Sequence, residues 1–225
     1  MEVVPELFSG DYLALNKGDF IKIEYDAYDD DGRLFDSTSG DIAKSLHGKE
    51  GAMLVVFGFD KLLSGLEDAL HGMKKGEKIE LDIPADKAFG QRNKNLLRIM
   101  SRSDFIRNEI NPVPGLTVHV DTEQGRQYGI IKSSSGGRVL VDFNHPLAGR
   151  NVKYSLTLVD VVTDTKSKTE EILKDIKLEG EVNLDKDVLS ITLKPTEHFD
   201  SAKKTLELVI KNVMPDVKTI NVSAK

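Results

Sequence analysis

The chain has 225 residues, a formal net charge of −6, 39% hydrophobic and 30% charged residues, and no cysteine. That balance excludes a strongly basic nucleic-acid footprint, and with no cysteine it excludes disulfides, thiolate metal sites and cysteine nucleophiles. The charged fraction points to several small domains with much surface.

The N-terminus carries Glu2 at once and has no apolar signal core. No apolar run approaches the ~20 residues that span a bilayer. A cytoplasmic protein with no membrane partner is expected.

The first regular element starts at Phe20. Ile21, Ile23 and Tyr25 alternate with Lys22 and Glu24, the pattern of a half-buried strand. Asp31–Gly32 is a tight-turn dipeptide, and the apolar character resumes at Leu34–Phe35, as in a hairpin. Asp60 is placed to cap a helix with Leu62, Leu63, Leu66, Ala69 and Leu70 on its apolar positions, ended by Gly72. Gly65 inside that helix costs about 1 kcal/mol against alanine, so another element is expected to approach closely there. From Lys78 the chain alternates strictly, with Ile79, Leu81 and Ile83 apolar.

The segment 91–143 has a different texture. Residues 95–107 are basic and apolar together, Asn111 to Gly115 is a turn, and short strand patterns fall at 116–120, 128–131 and 138–143. Gly125 and the run 133–137 are expected to separate them. The turn Asn144–His145–Pro146–Leu147–Ala148–Gly149 then leads into an apolar strand over 152–162. Together with Asp86–Lys87–Ala88–Phe89–Gly90 upstream, it brackets 91–143 as one domain interrupting another.

Beyond Val162, residues 163–168 are polar and linker-like. A short helix is expected near 170–176, strands at 180–184 and 188–193, and a final strand at 217–222. Between these strands, Asp200 or Ser201 is placed to cap a longer helix with Ala202, Leu206, Val209 and Val213 on one face, stopped by Pro215.

The sequence carries few standard chemical motifs. There is no Gly-rich phosphate loop, dinucleotide fingerprint or nucleophile elbow. The acidic run ending at Asp31–Gly32 fails as a calcium loop, because Ala27 falls at the first ligand position and Thr38 where the bidentate acid belongs. The five histidines are scattered, with no i, i+4 pair. No metal and no cofactor is expected. What remains is a set of aromatic and aliphatic residues around Asp36, which periodicity alone reads as an ordinary core.

Three motifs resemble the FKBP prolyl isomerases: Tyr25–Asp26–Ala27–Tyr28 with Asp31 to Thr38, Gly65–Leu66–Glu67–Asp68–Ala69–Leu70 with Met73 to Glu77, and Ala85 to Gly90. Asn144 to Gly149 followed by Asn151–Val152–Lys153–Tyr154 is similar to the SlyD type, in which a chaperone domain is inserted in the flap. The extra tail resembles the long-chain archaeal group of that family by position.

The resemblance implies an α+β fold, an antiparallel sheet wrapped on a short helix. The isomerase domain would be discontinuous (1–90 and 144–163), with an inserted β-rich chaperone domain at 91–143 and a C-terminal α+β domain at 164–225. It implies an isomerase pocket lined by Tyr25, Phe35, Asp36, Val55, Leu62, Leu63, Leu66, Phe89 and Tyr154. Leu66 stands where drug-binding members carry a tryptophan, and Phe89 where they carry a tyrosine.

It further implies that unfolded or partly folded polypeptides with Xaa–Pro bonds are the partners, and that Leu96, Leu97, Ile99, Met100 and Ile106 of the insert contact them. The alternative for these residues is the insert's own core or packing on the first domain. His145 and Leu147 are expected to border the pocket. For the tail helix two readings stand, a homodimer contact and packing on the tail's own sheet. For the whole chain, the reading opposed to an isomerase is a non-catalytic holdase.

Overall fold

The computed structural model describes residues 15–122, 125–186, 188–196 and 198–225. The first 14 positions of the expected isomerase domain lie outside them. The chain forms two compact units. One comprises the chain up to Ile83 together with Lys153–Lys225, and the other is Pro84–Val152.

In the first unit, strand β1 (Phe20–Asp29) runs antiparallel to β2 (Leu34–Ser37). Gly32 turns between them with φ +76°, a left-handed conformation suited to glycine. The Asp29 carboxylate closes this turn by accepting from the backbone N–H groups of Asp31 and Arg33 at 3.0 and 2.9 Å. Helix α1 (Gly40–His47) follows, an element not expected from the sequence pattern. Strand β3 (Met53–Val56) pairs antiparallel with the start of β1.

Helix α2 (Ser64–Leu70) is shorter than expected, and Asp60 does not cap it. The Asp60 carboxylate instead accepts from the Val56 backbone N–H at 2.6 Å and secures the turn leaving β3. Gly65 behaves as its position suggested. A Cβ there would lie 2.4 Å from Ile83 Cγ2, so the bare backbone lets α2 press onto the end of β4 (Lys78–Ile83).

The second unit carries β5 (Leu97–Ser101), α3 (Arg102–Arg107), β6 (Thr117–Thr122), β7 (Gly125–Ser135) and β8 (Arg138–Asp142). They form a four-stranded sheet in the order β5-β8-β7-β6, antiparallel throughout. Gly125 proves to open β7 and residues 133–135 to end it, and Gly136–Gly137 turns the chain into β8. The unit has its own small core of Phe105, Val118, Ile131, Val139 and Val141.

The chain returns to the first unit along β9 (Val152–Val162), which completes the sheet order β2-β1-β9-β4. The stretch expected to be a linker opens helix α4 (Thr165–Asp175). Its N-cap is Asp164, whose side chain accepts from the Ser167 N–H at 2.8 Å. Strands β10 (Gly180–Asp185) and β11 (Val188–Leu193) are antiparallel. Helix α5 (Phe199–Val213) supplies the crossover that lets β12 (Thr219–Ala224) pair parallel with β11.

Residues 164–225, expected as a separate domain, share one apolar cluster with the first strands. Phe20 and Val56 are buried with Ile172, Leu189, Ile191, Leu206 and Ile210. Full burial of a side chain such as Phe20 stabilises by roughly 1.5–3 kcal/mol. The face of α5 on which the homodimer expectation rested is thus turned into this cluster. No helix among the described residues is long and apolar enough to cross a membrane.

Candidate active site

The site begins with a fault in the β1–β2 ladder. Ala27 pairs with Asp36 and Tyr28 pairs with Leu34, so Phe35 is an extra residue on β2. In a regular strand Phe35 and Asp36 would point to opposite faces of the sheet. A bulge re-aims the chain at this point, and both side chains reach one cluster. Tyr25, two residues before Ala27 on β1, shares the face that Asp36 presents.

Tyr154, on the neighbouring strand β9, is only 5% exposed. Its ring lies 5.7 Å from that of Tyr25 and 6.2 Å, edge-on, from that of Phe35. The Tyr25 hydroxyl donates to Asp36 Oδ2 at 3.1 Å. His47, at the end of α1, places Nε2 at 2.8 Å from Asp36 Oδ1 and 3.4 Å from the Tyr25 hydroxyl.

Burial, reinforced by the Asp36 charge, raises the phenol of Tyr25 well above the ordinary tyrosine value, and the same two causes raise Tyr154. Both phenols stay protonated and act as donors or polar edges on an otherwise apolar wall. Val55 on β3 and Leu66 on α2 are buried in the same unit, and Leu62 and Leu63 are half-buried at the start of α2.

The remaining expected residues belong to the unit Pro84–Val152. The half-buried Phe89 ring stacks on that of His145, with centroids 4.2 Å apart and planes 2° from parallel. Partial burial pulls the His145 imidazole below its usual value. Its Nδ1 accepts from the Leu147 backbone N–H at 3.2 Å. The two crossings between the bracketing turns are tied together. Gly149 donates its N–H to the Gly90 carbonyl at 2.8 Å, and Asn144 bridges the Asn93 backbone and the Asp142 carboxylate.

The residues expected to contact clients divide in two. Leu97, Ile99 and Ile106 are exposed, Ile99 by 67% and Ile106 by 53%. Met100 packs against the insert's core, and Leu96 is half-buried. A groove of about 470 Å³ is lined by Met100, Phe105, Ile110, His119, Val120 and Asp121.

The family profile described as FKBP-type peptidyl-prolyl cis-trans isomerase matches residues 13–106, and a profile described as the FKBP26 IF domain matches residues 98–147. A probable FKBP-type 16 kDa peptidyl-prolyl cis-trans isomerase of Pseudomonas fluorescens is 35% identical over 55% of this chain and 81% of its own length. The chain belongs to the FKBP-type peptidyl-prolyl cis-trans isomerase family.

Two further FKBP relatives are informative about extent. A short-type peptidyl-prolyl cis-trans isomerase of Methanocaldococcus jannaschii is 29% identical over 65% of this chain and 94% of its own length. The SlyD isomerase of Escherichia coli is 32% identical over 49% of this chain and 56% of its own. The residue of the cluster that sequence reasoning missed is His47. Its signal was available: Ile42, Ala43 and Leu46 at helical spacing before Gly48, whose φ of +69° ends α1.

Proposed function

We propose that this isomerase accelerates rotation about Xaa–Pro bonds in unfolded or partly folded chains by desolvating the twisted amide against Tyr25, Phe35 and Tyr154. Val55, Leu62, Leu63 and Leu66 of the same unit would complete the apolar surface. Rotation faces a barrier of about 20 kcal/mol because amide resonance must be broken. The twisted amide is less charge-separated than the planar one, so an apolar wall favours it. A thousandfold acceleration needs only about 4 kcal/mol of differential stabilisation.

One observation carries this reading. The acid of the cluster is occupied on both oxygens by Tyr25 and His47, and both phenols are held protonated. This arrangement supports a cluster that positions the substrate and does not transfer a proton. Exchange NMR on a proline tetrapeptide tests it. Catalytic line broadening is expected at substoichiometric protein, and its absence at equal concentrations would leave the holdase reading standing.

We further propose that the insert holds clients through Leu97, Ile99 and Ile106. Exposed apolar side chains grouped on one small domain support this. Replacing Ile99 and Ile106 by glutamate is expected to leave tetrapeptide isomerisation unchanged and to slow catalysed refolding of a proline-limited protein. Equal refolding rates would sink the two-site idea.

A further inference from the structure

We infer that His47 is a positioning residue for the isomerase, acting through the carboxylate of Asp36. The inference rests on the aromatic cluster being the site of catalysis.

The terminal torsion of an aspartate is broad and poorly fixed by its own rotamer preferences. One donor, the Tyr25 hydroxyl on Oδ2, leaves the carboxylate free to swing about that bond. A second donor on Oδ1 fixes its plane. His47 Nε2 takes that place at 2.8 Å, and the two side chains are only 21% and 24% exposed. A hydrogen bond to a charged acceptor that is largely shielded from water is among the stronger ones.

The imidazole is itself held. Its ring meets that of Tyr25 edge-on at 6.4 Å and 77°. The helix that carries it ends at Gly48, whose N–H donates to the Lys44 carbonyl at 3.1 Å. One residue later Lys49 reaches Asp175 of α4 at 2.6 Å, although that pair is too exposed to contribute much. Asp36 follows directly on the bulge at Phe35. A carboxylate that rotates therefore loosens the Tyr25 hydroxyl and the Phe35 backbone together.

Steady-state exchange NMR on a proline tetrapeptide separates the outcomes. His47→Ala is expected to lower kcat about tenfold, the loss of one hydrogen bond to a charged group, with KM changed less than about twofold. His47→Gln, which returns an N–H donor, is expected to recover most of the rate. In an Asp36→Asn background, His47→Ala is expected to have almost no further effect, because the two act as a unit. Thermal melts confirm that each variant is folded.

The inference is overturned if His47→Ala keeps wild-type kcat, if His47→Gln is as slow as His47→Ala, or if the His47 effect persists in full without Asp36. Tyr154→Leu is the control for the site itself. If it leaves the rate unchanged, the site reading fails and this inference with it. If it lowers the rate while His47→Ala does not, only the role of His47 is lost.

Discussion

The rings of Phe89 and His145 stack face to face, 4.2 Å between centroids, although 56 positions separate them in the chain. Because burial lowers the imidazole below its usual value, the unfolded chain binds the proton more readily than the folded one. Stability contributed by neutral His145 is therefore present above the unfolded value of about 6.5 and is lost as the pH falls through it. Between pH 7 and 5 the wild type is expected to lose more melting temperature than His145→Phe. An imidazole midpoint above 6.5 in an NMR titration would contradict this.

Tyr25 and Tyr154 give a prediction at the opposite end of the pH scale. Their raised values mean that the folded chain keeps protons the unfolded chain gives up above about pH 10. Stability is fully present below pH 10 and declines as the pH rises further. Absorbance at alkaline pH should show two phenols ionising late, and only with unfolding. In Tyr25→Phe one late step should vanish, and stability should fall by about 1–3 kcal/mol as Asp36 loses a donor.

Gly65→Ala sets two effects against each other. Alanine gains about 1 kcal/mol of helix propensity. Its methyl would sit 2.4 Å from Ile83 Cγ2, and overpacking costs about 1–3 kcal/mol. The net expectation is a lower melting temperature, with a favourable coupling to Ile83→Ala in a double-mutant cycle.

In the insert, Asp142 is buried, which disfavours its charge. The hydrogen bonds from Asn144 and the ion pair with Arg92 more than offset this, so its carboxyl is held below the usual range. This contribution is present above the unfolded value of about 3.9 and is lost as the pH falls through the lower folded one. Asn144→Ala should destabilise the unit Pro84–Val152 by about 1–3 kcal/mol. Faster amide exchange at Val139 and Val141 would report it.

Strands with strict alternation, such as Lys78–Ile83, were legible in the sequence because their period is local. So was the interruption of one unit by another, from the turns at Asp86–Gly90 and Asn144–Gly149. The bulge at Phe35 was not legible, because an extra residue in one strand is defined only by the register of its partner. His47 escaped because its partners lie 11 and 22 positions away. Asp60 misled because an acid before a helical pattern and an acid closing a turn look alike in sequence. The tail's elements were mostly visible, but its attachment was not. Phe20 reads as a strand residue whichever apolar neighbour it meets, and only the fold shows that its neighbours include Leu189 and Leu206.

That attachment gives β1 two loads. Phe20 at one end is sealed by the tail, and Tyr25, about 17 Å further along the same strand, carries the aromatic cluster. Both ends belong to one strand, paired with β3 at Phe20 and with β2 just beyond Tyr25. A proline peptide seated against Tyr25 should therefore slow local breathing of β11 and α5, where it touches nothing, and Phe20→Ala should weaken the hold on that peptide. Losing the tail is therefore expected to loosen β1 at Phe20 before it removes any residue of the aromatic cluster.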